Sequence, residues 1–135
     1  MADYADVQSR IEAVIVAGGL VVAPSGSDPE DIPANGAGSW VAIELVPGAG
    51  VTASNGYARE EHECTLSMVA PLTADRNASR RTALDNALTL RGLLDTPSAL
   101  SSVSAHAVCD GYDITELGST FIASASFTIN ATTTI

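Results

Sequence analysis

Two histidines and two cysteines fall at spacings that could hold a metal ion: His62 with Cys64, and His106 with Cys109. Zinc takes nitrogen and sulfur donors in a tetrahedron, so the question is whether the four side chains converge. Successive strand residues point to opposite sides, which puts His62 and Cys64 together but sends His106 and Cys109, three apart, to different sides. Unless a bulge changes the register, no zinc site forms. The simpler expectation is two small buried cysteines, with the histidines in polar or edge positions. Neither cysteine has a secretory context, so both are expected to be free thiols.

Glu60, Glu61 and Glu63 could serve acid–base chemistry or collect a divalent cation, but a solvated strand face accounts for them more simply. Nucleophilic catalysis needs a base and an orienter within reach of the nucleophile, and the sequence carries no local signature of that arrangement. There is no Gly-x-Ser-x-Gly elbow. Gly36-Ala37-Gly38 and Gly48-Ala49-Gly50 lack the lysine and the strand-to-helix setting of a phosphate loop. The sequence thus predicts no enzyme, no cofactor and no metal centre.

Arg80 and Arg91 are the more suggestive charges. Each guanidinium can make a planar, two-pronged contact with a carboxylate, and the chain has carboxylates in surplus. They either lie along the margin of the domain's own core or meet Glu61 or Glu63 of a neighbouring copy, as in a ring joined head to tail.

These residues must be placed by a small number of elements. Ala74 to Thr96 predicts the longest helix: at about 100° per residue, Ala83, Leu84, Ala87, Leu88, Leu90 and Leu94 form one apolar arc, with Arg80 and Arg91 near its middle. Asp75 or Asn77 can cap its start, and Pro97 marks its far boundary. Asp3 to Ala17 predicts a first helix, with Tyr4, Val7, Ile11, Val14 and Ile15 at helical spacing and Gly18-Gly19 as its stop.

Pro24 to Ser39 is rich in turn formers, has almost nothing to bury, and predicts a long loop of the kind that binds something or orders in an assembly. Trp40 to Val46 and Tyr57 to Ala70 alternate as strands, joined by a glycine-rich hairpin connection from Pro47 to Gly56. In the second strand Cys64, Leu66, Met68 and Ala70 share one face, and Glu61, Glu63, Thr65 and Ser67 the other. After the long helix, Leu100 to Tyr112 predicts a strand ending in a turn at Asp110-Gly111. The last strand alternates Phe121, Ala123, Ala125, Phe127, Ile129 and Ala131 with polar residues. This order predicts one α+β domain, a mainly antiparallel sheet with an N-terminal helix and one long helix packed on one face.

A chain of 135 residues with 46% apolar and 16% charged residues can bury a core and should fold. Its net charge of −10, with six arginines and no lysine, argues against nucleic acid and anionic membranes as partners. The acid is concentrated in residues 1–63, where ten carboxylates face two arginines. No apolar stretch is long enough for a membrane helix, and the acidic start is unlike an export signal, so a cytoplasmic origin is expected.

From roughly Asp31 to Ile135 the chain resembles the tail terminator proteins of long-tailed bacteriophages, the lambda-like minor tail family. The likeness rests on the succession of strand, Pro71 and helix, and on the Leu-Leu-Asp-Thr-Pro-x-Ala-Leu turn from Leu93 to Leu100. It rests also on the Gly111-Tyr112-Asp113 corner and the alternating strand that ends the chain. The resemblance implies a virion protein, assembled in the host cytoplasm, that forms a ring, usually hexameric, on the head-proximal end of the tail. Such a ring caps the tail-tube protein, stops its polymerisation and presents a surface to the head-tail connector protein. An acidic ring wall would let DNA pass without retaining it.

On this reading Arg80, Arg91, Glu61 and Glu63 are subunit contacts. The two loops, with Asp28, Glu30, Asp31, Val51 and Asn55, reach the tube or the connector. The rival readings are a tail-tube or head-completion subunit, a monomeric acidic adaptor or inhibitor, and a metal-dependent enzyme.

Overall fold

The computed structural model describes residues 4–24, 32, 39–48, 50–54, 57–71, 75–96, 98–117 and 120–134. The chain runs through α1 (Tyr4–Ala17), β1 (Val21–Val22), β2 (Trp40–Val46), β3 (Gly50–Ser54), β4 (Tyr57–Pro71) and α2 (Arg76–Leu94). A short 3₁₀ turn at Ser101–Val103 then leads to β5 (Ala105–Leu117) and β6 (Thr120–Thr134). The described strands form one sheet in the order β1-β2-β4-β6-β5, with β3 on β4 alongside β2. Every pairing is antiparallel except the short β1–β2 pair. The domain is α+β, with the helices on one face of a mainly antiparallel sheet, as the element pattern predicts.

Both helices end where their sequences say they should. Asp75 accepts the amide N–H groups of Asn77 and Ala78 at 3.1 and 3.2 Å, which satisfies donors the first turn of α2 would leave open. α1 closes on a left-handed glycine, Gly19 at φ +83°, while Leu20 N–H donates to the Ile15 carbonyl and Gly19 N–H to that of Val16. A side chain at Gly19 would oppose that conformation.

The main core lies between the helices and the sheet. Val7, Ile11 and Ile15 of α1 and Leu90 and Leu94 of α2 meet Leu66, Met68, Phe127 and Ile129. All six alternate residues of β6 from Phe121 to Ala131 are buried, so the strand is half-buried along its length. A smaller cluster of Ala23, Ile32, Ala42, Val69 and Ile122, with Trp40 against it, covers one corner of the other sheet face. The segment from Pro24 to Ser39 buries one side chain, Ile32; residues 25–31 and 33–38 lie outside the described ones.

Three expectations change. First, Pro47 to Gly56 is not all connection: Gly50–Ser54 is a strand paired with residues 57–60, leaving only Asn55 and Gly56 between Ser54 and its partner Tyr57. Second, Asp110-Gly111 is a bulge inside β5 rather than a turn, and the Gly111-Tyr112-Asp113 corner is continuous strand. Cys109 pairs with Phe127 and Gly111 with Ser126, so Asp110 is the extra residue. The extra residue swaps the faces, so that beyond it Tyr112, Ile114 and Glu116 join the helix side.

Third, the buried arc of α2 is rotated from the expected one. Ser79, Ala83, Ala87, Leu90 and Leu94 face the sheet, and Leu84 and Leu88 are exposed at 42% and 43%. Small residues at Ser79, Ala83 and Ala87 let the helix lie close on the strands, and the two leucines are left on its outer side.

Candidate functional site

The four potential metal ligands do not converge. His62 lies on the helix side of β4 and is 1% exposed, so it is a core residue rather than the polar or edge one expected. Gly48 N–H donates to its Nδ1 at 3.2 Å, which makes Nδ1 the acceptor and leaves the proton on Nε2. Nε2 faces the Glu60 carboxylate at 3.3 Å, a charge–dipole contact rather than a well-aligned hydrogen bond. The histidine thereby fastens the link from β2 to β3, which continues along the same edge of β4 and where a Cβ on Gly48 would overlap the Glu61 carbonyl.

Cys64 and Cys109 both pair with Phe127, one on each side of it. Two strand spacings of about 4.8 Å put them about 10 Å apart, beyond disulfide reach. Cys64 is buried and Cys109 only partly so, and both are free. Burial pushes the Cys64 thiol up from 9.0 to about 12, so it stays protonated and unreactive at neutral pH. His106 is exposed and on the opposite side of β5 from Cys109, as strand phase predicts. Among the described residues no three histidine, cysteine or acidic side chains gather around one point.

Exposed charges lie on both sides of the sheet, and Arg59 shares the outer side of β4 with Glu61. On the outer side of α2, Arg80, Leu84, Leu88 and Arg91 follow one another at helical spacing, and all four are exposed. Arg91 reaches Asp95 at 3.6 Å and lies over the Tyr112 ring at 5.7 Å, while Arg80 has no ion pair among the described residues. Arg76 pairs with Glu116 and covers the Phe121 ring at 5.8 Å. Arg80 and Arg91 therefore do not sit among buried residues; they flank two exposed leucines.

On the other side of the sheet, Glu61 and Glu63 stand exposed on β4, opposite Asn130 and Thr128 of β6. Glu44 of β2 adds a carboxylate two residues along, and Val46, 45% exposed, is the cross-strand neighbour of Glu63. Val108 of β5, opposite Thr128, extends the same row. Glu60 alone of the three neighbouring acids turns to the helix side, toward His62. Since the sheet separates Arg80 and Arg91 from Glu61 and Glu63, these groups cannot pair within one chain.

Asp28, Glu30, Asp31 and Asn55 lie outside the described residues, and Val51 is part of β3. The sequence reading missed the exposed Leu84, Leu88, Val46 and Val108, and also Tyr112. The hydrophobic pattern marked the leucines as apolar but not as outward. For Tyr112 the signal was Asp110-Gly111, read as a turn when a bulge fits equally. No protein-family model and no curated protein matches the chain.

Proposed function

We propose that the chain is a structural subunit of a phage virion, a tail terminator whose copies form a ring on the end of the tail tube. The ring stops tube polymerisation and offers the surface that joins tail to head. The observation that carries this reading is the concentration of arginine on α2 against an acidic remainder of the chain. Arg76 to Asp95 holds four of the six arginines against two aspartates, a net +2, and leaves −12 for the rest of the chain. A cationic, leucine-bearing helix on one side and an acidic, valine-bearing strand face on the other suit a subunit that meets other proteins on both sides. The resemblance in the run from Glu63 to Ile129 supplies the kind of assembly.

In this role Asp28, Glu30 and Asp31, together with the tip of the β3–β4 hairpin at Asn55, reach the tube or the connector. The acidic surplus lines a passage for DNA without holding it. The test is to polymerise the tail-tube protein with and without the chain and to measure tube lengths by electron microscopy. Tubes that stop at a defined length and carry a ring at one end are expected. An unchanged length distribution, with no ring on the tube ends, would overturn the reading.

A further inference from the structure

We infer that the copies join head to tail, with the outer face of α2 from one copy seated on the uncovered sheet face around Val46 and Glu63 of the next. This rests on the assembly proposed above and names the surfaces that make it. Leu84 and Leu88 form the apolar centre of the first surface, between Arg80 and Arg91. Val46 and Val108 stand on the second at similar exposure, beside Glu61 and Glu63. Each surface thus has an apolar middle and a charged rim, and the rims are of opposite sign. That is the pattern of a specific contact, in which the centre supplies the affinity and the rim the orientation.

The charges also select the symmetry. A two-fold contact would press a surface against its own copy. For α2 that places Arg80 and Arg91 against arginines; for the sheet it places Glu61 and Glu63 against glutamates. Arg59, exposed on the same side of β4 as Glu61, and Asp95, paired with Arg91, offset part of each charge, but the net signs still make helix on sheet the attractive pairing. Because the two surfaces lie on opposite sides of one sheet, each copy can use both at once, and the contact repeats from copy to copy, closing into a ring where the rotation between copies allows it. Size allows it: a 19-residue helix is about 28 Å long, and the part of β4 short of the covered corner, residues 57–65, runs about 30 Å.

Charge reversal tests this in two halves. Arg80→Glu with Arg91→Glu makes both surfaces acidic, and Glu61→Arg with Glu63→Arg makes both basic. Each variant alone should fall to the mass of one chain, 13.8 kDa, with an unchanged circular dichroism spectrum. Mixed in equal amounts they should reassemble, because every junction in an alternating ring again joins acid to base. Reversed variants that assemble alone as the wild type does, or a mixture that stays monomeric, would overturn the inference.

A second measurement does not depend on reversal. In a Cys109→Ala background, a short bis-maleimide should join Leu88→Cys to Val46→Cys when the two chains are mixed. It should leave Leu88→Cys alone uncoupled. Efficient coupling of Leu88→Cys to itself would show a two-fold contact and overturn the proposal. If the chain assembles head to tail but tubes ignore it, the terminator reading fails and this one stands. If tubes are capped while the reversed variants still form rings, the opposite holds.

Discussion

β4 and β6 have one backbone and two different faces. Toward the helices they present Cys64, Leu66, Met68 and Ala70 beside Phe121, Ala123, Ala125, Phe127, Ile129 and Ala131, every one buried. Away from the helices the same strands present Glu61, Glu63 and Thr65 beside Ser126, Thr128 and Asn130, none of them buried. The first face is closed by α1 and α2. Among the described residues the second is covered at the corner where Ala23, Ile32 and Trp40 pack on Ala42, Val69 and Ile122. One face therefore stabilises the fold, and the other leaves charged and polar side chains exposed.

The largest expected effect tests the helix-side face. Phe127 lies against both cysteines' strands at the centre of the core, so Phe127→Ala should lose about 3–5 kcal/mol in urea unfolding through lost burial and the cavity left behind. Its neighbour on the other face, Ser126→Ala, should stay within about 0.5 kcal/mol. Similar losses from the two would break the distinction between the faces.

How far the sequence revealed this distinction differs from element to element. β2, β4 and β6 were readable because each alternates, and alternation fixes which side chains share a face whatever packs on them. The caps at Asp75 and Gly19 were readable because they are local chemistry. β3 was hidden by the glycines at and before its start, Gly48 and Gly50, although Asn55-Gly56 between two short alternating runs is a strong hairpin signal. The faces of β5 beyond Asp110 were hidden because one extra residue inverts them. The turn of α2 was hidden because its apolar arc is broader than the part the sheet can cover. Which edge stays outside depends on the small side chains at Ser79, Ala83 and Ala87 meeting a sheet that periodicity does not describe. His62 was hidden because its partner, the Gly48 N–H, belongs to the irregular link between β2 and β3, which only the fold brings beside it.

The next effect compares two thiols on the same side of the sheet. Cys64 keeps its proton up to about 12 in the folded chain, against 9.0 ordinarily. The folded state thus binds this proton more tightly than the unfolded one. The resulting stability is complete below pH 9 and is lost as pH rises toward 12, by on the order of 1 kcal/mol per pH unit. Unfolding midpoints at pH 8 and pH 10.5 should therefore drop more in the wild type than in Cys64→Ala. Equal drops would place Cys64 outside the core. At neutral pH, Cys109 should react with a maleimide in the native protein and Cys64 only after unfolding.

A smaller effect concerns what holds α2 over the first face. Asp75→Ala removes the acceptor for two amide groups and should cost about 1 kcal/mol, readable as a lower unfolding midpoint. Asp75→Asn should recover most of it, because the amide oxygen can accept the same bonds. A variant pair in which neither change matters would mean that the first turn of α2 is held by packing alone.

The smallest effect on stability falls on the residues given the largest role in assembly. Arg91 is about half exposed, and its contact with Asp95 at 3.6 Å is an exposed pair four residues along a helix, worth at most about 0.5 kcal/mol. Its position over Tyr112 brings the guanidinium toward β5 without burying it. Arg80 makes no such contact among the described residues, so Arg80→Ala should leave the unfolding midpoint unchanged and Arg91→Ala should lower it slightly. If both arginines serve mainly the contact between copies, each substitution should instead weaken assembly by a similar factor, more at low salt than at high salt, because exposed charges are screened. A loss of folding stability above about 1 kcal/mol for either variant would return these arginines to the subunit's own structure and remove the cationic surface from the comparison.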